Sequence, residues 1–181
     1  MQRRLGEAVA AAPAGEVRLV SMCAGEARDL ASLLDHPRRD DVRGLAVELD
    51  PRNVASARAR LDGLAVDVVE GDAAVVDLYA PLLPAAVVLA CGVFGNITDE
   101  DVEQTVRALP GFCAPGAWLL WTRHRREPDL TVAIRRWCGE AGFEELAFDT
   151  FEGHGQSVGT WRYVGPPAEP ALGRTLFSFV R

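Results

Sequence analysis

Short apolar runs alternate with helix-period segments from residue 17 to about residue 142. Val17–Met22 is nearly all apolar, the pattern of a strand buried on both faces of a parallel sheet. A helix is predicted around Ala27–Leu34, and Leu45–Leu49 supplies a second strand. Asp50-Pro51 is a strong helix start, an N-cap acid followed by Pro at the first helical position, with Val54, Ala57 and Leu61 on one face of that helix. Val66–Val69 reads as the third strand and Ala86–Ala90 as the fourth. Thr98-Asp99-Glu100-Asp101 caps the next helix and puts acids in its first turn, ahead of a stripe of Val102, Val106 and Leu109. Trp118–Trp121 lies in a fifth strand. Pro128 opens another helix, with Leu130, Ile134, Trp137 and Ala141 facing inward and Gly142 as its stop.

Beyond Gly142 the pattern changes. Phe143–Phe151 and Thr175–Val180 read as two strands with no helix between them, hence an antiparallel pair. Five strand–helix alternations followed by a terminal hairpin predict an open α/β sheet.

Composition narrows the field. Of 181 residues, 49% are hydrophobic and 25% charged, enough apolar surface to offset chain entropy, so a disordered chain is excluded and one domain spanning residues 1–181 is expected. The net charge of −7 argues against a broad nucleic-acid footprint. All 19 basic residues are Arg, a usage that points to a high-GC genome and says nothing of function. Cys23, Cys91, Cys113 and Cys138 are far apart, with no CxxC and no His at ligand spacing. That predicts free thiols in a reducing compartment, with neither a disulfide framework nor a metal site. No apolar run approaches the roughly 18 residues of a membrane span, and no signal peptide is evident, so a cytoplasmic protein without a membrane partner is expected.

Open α/β sheets bind ligands beyond the carboxyl ends of their strands. The loops there are Ser21-Met22-Cys23-Ala24-Gly25-Glu26-Ala27-Arg28-Asp29, then Glu48-Leu49-Asp50, then Glu70-Gly71-Asp72, and Cys91-Gly92-Val93-Phe94-Gly95-Asn96. A carboxylate ending the second strand can accept both hydroxyls of a ribose, and one ending the third can accept from an adenine amino group. Both NAD and an adenosyl compound fit that pair. The first loop separates them: a pyrophosphate needs unobstructed N–H groups at a positive helix end, yet Glu26 and Asp29 stand in it, offset in part by Arg28. An adenosyl sulfonium carries no phosphate and tolerates an acidic loop.

With these motifs in order, the chain from about residue 17 onward resembles the class I S-adenosylmethionine-dependent methyltransferases. The family's glycine-rich loop maps on Cys23-Ala24-Gly25-Glu26-Ala27, where the middle glycine is kept, and Ser21 replaces the acid before it. The ribose acid maps on Glu48, the adenine acid on Asp72 beside Ala73, and the fourth-strand motif on Ala90–Ile97. The resemblance implies a Rossmann-like, seven-stranded, mostly parallel sheet with helices on both faces and an antiparallel C-terminal hairpin. It also implies S-adenosyl-L-methionine held by Ser21, Cys23, Ala24, Gly25, Arg28, Glu48, Leu49, Asp72, Ala73, Cys91 and Gly92. The activity implied is methyl transfer to an O or N nucleophile of a small molecule in bacterial secondary metabolism; a degenerate adenosylmethionine-binding partner or sensor and an RNA methyltransferase are the alternatives.

Acceptor-side candidates come from position. His124, at the ligand edge after the fifth strand, and His154, between the terminal strands, are the candidate bases; Phe94, Asn96, Arg123 and Trp161 are the candidate substrate contacts. His36 lies on the opposite side of the sheet. The connection from Glu152 to Gly173 exceeds the roughly 12–15 residues of an ordinary loop and carries His154, Trp161, Arg162 and Tyr163 among glycines, which predicts a lid over a planar acceptor. The competing expectation is that Trp161 and Tyr163 pack on the sheet edge or in a homodimer interface.

Overall fold

The computed structural model describes residues 1–151 and 155–180. Seven strands form one sheet in the order β3-β2-β1-β4-β5-β7-β6. They are β1 (Val17–Met22), β2 (Val42–Glu48), β3 (Val66–Glu70), β4 (Ala85–Ala90), β5 (Cys113–His124), β6 (Phe143–Phe151) and β7 (Gln156–Tyr163). The first five are parallel, and β7 runs antiparallel between β5 and β6. Strand order reverses between β1 and β4, and this opens a crevice above their carboxyl ends.

Helices cover both faces. α1 (Gln2–Ala11) and α2 (Pro51–Arg60) bury Leu5, Val9, Val54 and Ala57 against Leu19, Val87 and Leu120. On the other face α3 (Asp99–Ala108) and α4 (Thr131–Glu140) bury Val102, Val106, Ile134 and Trp137 against Val20, Val88 and Trp121. The two caps read from sequence at α2 and α3 are present: Asp50 accepts from the Arg52 N–H at 2.8 Å and Thr98 from the Asp101 N–H at 3.1 Å. α4 begins three residues later than Pro128, because Asp129 takes the capping role and accepts from the Thr131 N–H at 2.9 Å. Arg38 closes the other end of α1, donating to the carbonyls of Val9, Ala12, Pro13 and Gly15 at 2.6–3.1 Å. Arg4, on the same helix, grips Asp149 of β6 at 2.6 and 2.8 Å.

Two expectations fail. The helix at Ala27–Leu34 is instead a 3₁₀ turn over Leu30–Asp35, because Cys23, Gly25 and Ala27 all adopt positive φ (53°, 55° and 55°) and so prevent a helical start. The second strand of the terminal pair is Gln156–Tyr163, and Thr175–Val180 is not in the sheet. β7 is buried along most of its length although its first half reads Gln-Ser-Val-Gly-Thr, since it lies between two strands and under two covered faces. Gly159 is the residue the packing demands: a Cβ there would stand 2.6 Å from Trp121 Nε1.

Thr175–Val180 serves differently. It runs as extended chain from the loop after β3 to the loop after β4, with single antiparallel bridges Val75–Thr175 and Ile97–Phe179. The Leu176 N–H donates to Ala74 O and the Val180 N–H to Asn96 O, each at 2.9 Å, while Leu176 and Phe177 are buried.

Candidate functional site

The crevice is built around Glu48. Its Oε2 accepts the Gly25 N–H at 2.8 Å and its Oε1 the Asp50 N–H at 2.9 Å, so one side chain fixes the turns after β1 and β2 together. Asn53 Nδ2 adds a longer contact to Oε1 at 3.4 Å. Oε2 keeps a second acceptor position for an outside donor, and the second position of Oε1 is held only by the long Asn53 contact. The first turn is also held by its backbone, Ala24 N–H to Val47 O at 2.9 Å. With Gly25 at positive φ, the space where a Cβ would stand is empty to 4 Å, and the same holds at Gly92 on the opposite side of the crevice. These two positions are where the backbone lets a ligand approach closely.

Leu49 is 60% exposed between two acids, an apolar platform at the strand end. Asp72 Oδ1 accepts from the Ala74 N–H at 2.9 Å, whereas Oδ2 accepts no hydrogen bond among the described residues. Ala73 behind it is buried, its carbonyl taking the Tyr79 hydroxyl at 2.9 Å. Ser21 is buried, and Cys23 and Cys91 are half-buried across the crevice from one another. Burial, with Glu48 and Asp72 adding to it, pushes the Cys23 thiol up to about 12. Burial likewise raises Cys91, so both are neutral thiols. Arg28 is exposed and paired to Glu26 at 2.9 Å. A carboxylate at a strand end with an acceptor position to spare, an apolar platform, an open acceptor oxygen and two bare-backbone positions are complementary in chemistry to an adenosyl compound.

On the acceptor side the residues divide. Asn96 is exposed, its Nδ2 donating to Gly92 O at 2.7 Å. His124 stands beside Gly95, where a Cβ would lie 3.5 Å from its Cδ2. Its Nδ1 accepts the Arg126 N–H at 3.3 Å, which assigns the hydrogen of the neutral ring to Nε2. Desolvation first, then Arg123 and Arg126, lowers its pKa below the usual 6.5. Arg123 is 8% exposed and donates to Phe94 O, with Asp99 4.0 Å from its other nitrogen. It braces the loop after β4 from beneath. Phe94 is fully buried against Trp121, and Trp161 is 4% exposed within the core at the Leu119 level of the sheet, far down β7 from the ligand edge. Neither ring presents surface to an acceptor, and within the stretch expected to form a lid Gln156–Tyr163 is the sheet strand β7. His154 lies outside the described residues.

Two residues of the site, Thr122 and Asn53, are not signalled by any motif in the sequence. Thr122 Oγ1 accepts the Gly92 N–H at 3.0 Å and so sets the second open position. Parity alone could have found it: it precedes Arg123 on a strand that ends at the ligand edge. Among the described residues no group of three or more His, Cys, Asp or Glu is placed to hold a metal ion, and no helix is long and apolar enough to cross a membrane.

Solved structures carry the same architecture. An O-methyltransferase family protein from Burkholderia thailandensis matches with a TM-score of 0.67 at 16% identity, over 91% of this chain and 56% of that one. The chain thus spans just over half the length of that protein. Aeropyrum pernix fibrillarin, solved with natively bound S-adenosyl-L-methionine, matches at 0.64 and 17% identity over 83% of this chain and 68% of that one. An rRNA methylase from Streptococcus thermophilus matches at 0.66 and 11% identity over 89% and 95%. No family model and no curated protein matches the sequence. Identities this low speak to architecture alone. In architecture, this chain has the class I S-adenosylmethionine-dependent methyltransferase fold.

Proposed function

We propose that the chain binds S-adenosyl-L-methionine in the crevice between β1 and β4 and transfers its methyl group to an O or N nucleophile of a small molecule. The observation that carries this reading is Glu48, half-buried at the end of β2, its two oxygens aligned by the Gly25 and Asp50 N–H groups, with Oε2 still able to accept and Oε1 held further only by the 3.4 Å Asn53 contact. When bound, the sulfonium supplies an activated methyl group. What remains for the protein is binding and alignment, which in well-oriented systems are worth roughly 7–11 kcal/mol. Glu48 and Asp72 hold the nucleoside, and Leu49 covers one face of the base. Gly25 and Gly92 let the backbone approach. His124, neutral and carrying its hydrogen on Nε2, donates a hydrogen bond to the acceptor and orients it.

An RNA acceptor is less well supported. Of the cations in Arg123–Arg126, Arg123 is buried and Arg125 pairs with Asp129 at 3.3 Å, and this leaves little free positive charge on an acidic chain. Calorimetry with S-adenosylhomocysteine tests the donor site. Turnover of the labelled donor with phenols, amines and hydroxy acids, set against rRNA transcripts, tests the acceptor class. Binding with no turnover of any acceptor would favour the sensor alternative, and tighter binding of NAD would overturn the donor assignment.

A further inference from the structure

A cavity of about 580 Å³ lies between α3 and the C-terminal chain. Its two walls run antiparallel and are fixed at both ends. The Ser178 N–H donates to Asp101 Oδ2 at 3.1 Å, and Gln104 Nε2 donates to Leu176 O at 2.9 Å. At the other end the Glu169 carbonyl is pressed on Gly111, where a Cβ would stand 2.5 Å from it. Between these contacts the chain is drawn off the helix: the Gly173 N–H donates to Asp77 Oδ2 at 2.8 Å, and the Val76 N–H to Arg174 O at 3.1 Å. At about 30 Å³ per water-sized atom, the gap so opened has room for roughly nineteen non-hydrogen atoms.

The charges on its walls divide into satisfied and unsatisfied. Arg107 is paired within the protein, to Glu103 at 2.7 Å and to Glu140 at 3.1 Å. Glu100, Glu169 and Arg174 also line the cavity, and none of their side chains forms an ion pair or a hydrogen bond among the described residues. Their order follows from the antiparallel register. Glu100 stands at the Ser178 end, Glu169 at the Gly111 end, and Arg174 between the Leu176 and Glu169 levels, nearer Glu169. An acid at each end with a guanidinium between them is complementary to a molecule that carries two cationic groups and one carboxylate.

We infer that this cavity binds a free basic α-amino acid of the lysine or arginine class. Arg174 takes the carboxylate, Glu169 the α-ammonium and Glu100 the cation at the end of the side chain. The spacing agrees: Glu100 and Arg107 are two turns apart on α3, roughly 10 Å along its axis, which an extended lysine or arginine side chain bridges with Glu100 reaching inward. Ala108, Ala171 and Leu176 supply apolar lining for the aliphatic stem. None of these residues belongs to the proposed donor or acceptor site, so the inference stands apart from that reading.

Calorimetry on the full chain with L-lysine and L-arginine tests it. Three relatives of lysine each remove one group: norleucine the terminal cation, cadaverine the carboxylate, and Nα-acetyl-L-lysine, which stands for the last residue of a peptide, the α-ammonium. Each should bind at least tenfold more weakly than L-lysine. Arg174→Gln and Glu100→Gln, both at exposed positions, should also weaken L-lysine at least tenfold and keep the melting temperature of the free protein. Glu100→Gln should leave norleucine within twofold. No binding of either amino acid at millimolar concentration, or binding that survives both substitutions, would overturn the site. Norleucine as tight as lysine would overturn the charge assignment, and Nα-acetyl-L-lysine as tight as lysine would overturn the free amino acid in favour of a peptide C-terminus.

Discussion

Glu48 and Gly25 are joined across two strands: the carboxylate at the end of β2 accepts, at 2.8 Å, the N–H of the residue that turns the chain after β1. The acid proposed to hold the ribose and the loop at Gly25 are thus one hydrogen-bonded unit. Anything that moves Glu48 also moves the floor of the crevice.

Glu48→Ala should therefore weaken S-adenosylhomocysteine by about 1.5–3 kcal/mol, the range for a charge-assisted hydrogen bond left unmade. Calorimetry gives the number. Unchanged affinity would mean that Asp50, or no acid, holds the sugar.

His124 makes a prediction of a different kind. Its pKa lies below the usual 6.5, from desolvation and the neighbouring Arg123 and Arg126 charges, so the ring is neutral at pH 7. Nitrogen chemical shifts should show a titration midpoint under that value and the hydrogen on Nε2. His124→Ala should slow methyl transfer and keep S-adenosylhomocysteine affinity within about twofold, under roughly 0.5 kcal/mol. Parallel loss of binding and turnover would assign the ring to the donor site or to folding.

Gly159→Ala tests the packing of β7. The added methyl meets the Trp121 indole, itself fully buried, and neither group has room to retreat. Overpacking of this kind costs about 1–3 kcal/mol. Urea unfolding should show a lower midpoint at unchanged slope; a variant as stable as wild type would mean that the strand slides easily past the indole.

Asp149 offers a pH signature. The Arg4 hydrogen bonds hold its carboxyl below the usual 3.8, so the ionised form contributes stability above about pH 4 that fades as pH falls through the lowered folded value. Asp149→Asn should cost about 0.5–1 kcal/mol at pH 7, and the difference should shrink steadily as pH falls below about 4. A pH-independent difference would assign the effect to packing of α1 on β6 instead of charge.

The parallel half of the sheet is legible in the sequence because its strands are short apolar runs, buried on both faces, and its helices carry Asp50 and Thr98 as caps. Glu48, Asp72 and Leu49 can be placed for the same reason: each comes directly after or at a strand end. The antiparallel half is obscured by chemistry. Gln156-Ser157-Val158-Gly159-Thr160 reads as loop, because Gly159 is dictated by a tryptophan on another strand and the buried polar residues by neighbours that periodicity does not see. Conversely Thr175–Val180 has strand-like alternation and finds no sheet edge to join. Loop position alone puts Phe94 and Trp161 near the acceptor, and side-chain direction, which sends both into the core, is a tertiary property. The first turn reads as helical since positive φ at Cys23 and Ala27 is not what those residues favour by themselves.

The extended segment Thr175–Val180 has a mechanical meaning. It is bonded to Ala74 in the loop after β3, on the side proposed for the nucleoside, and to Asn96 in the loop after β4, on the side proposed for the acceptor. The two banks of the cleft are moored to a common line, with Leu176 and Phe177 anchoring its middle in the core. Breathing at one bank then pulls on the other, so the gap between the loops after β3 and β4 is set by a tether as much as by the sheet, and both loops share one set of fluctuations.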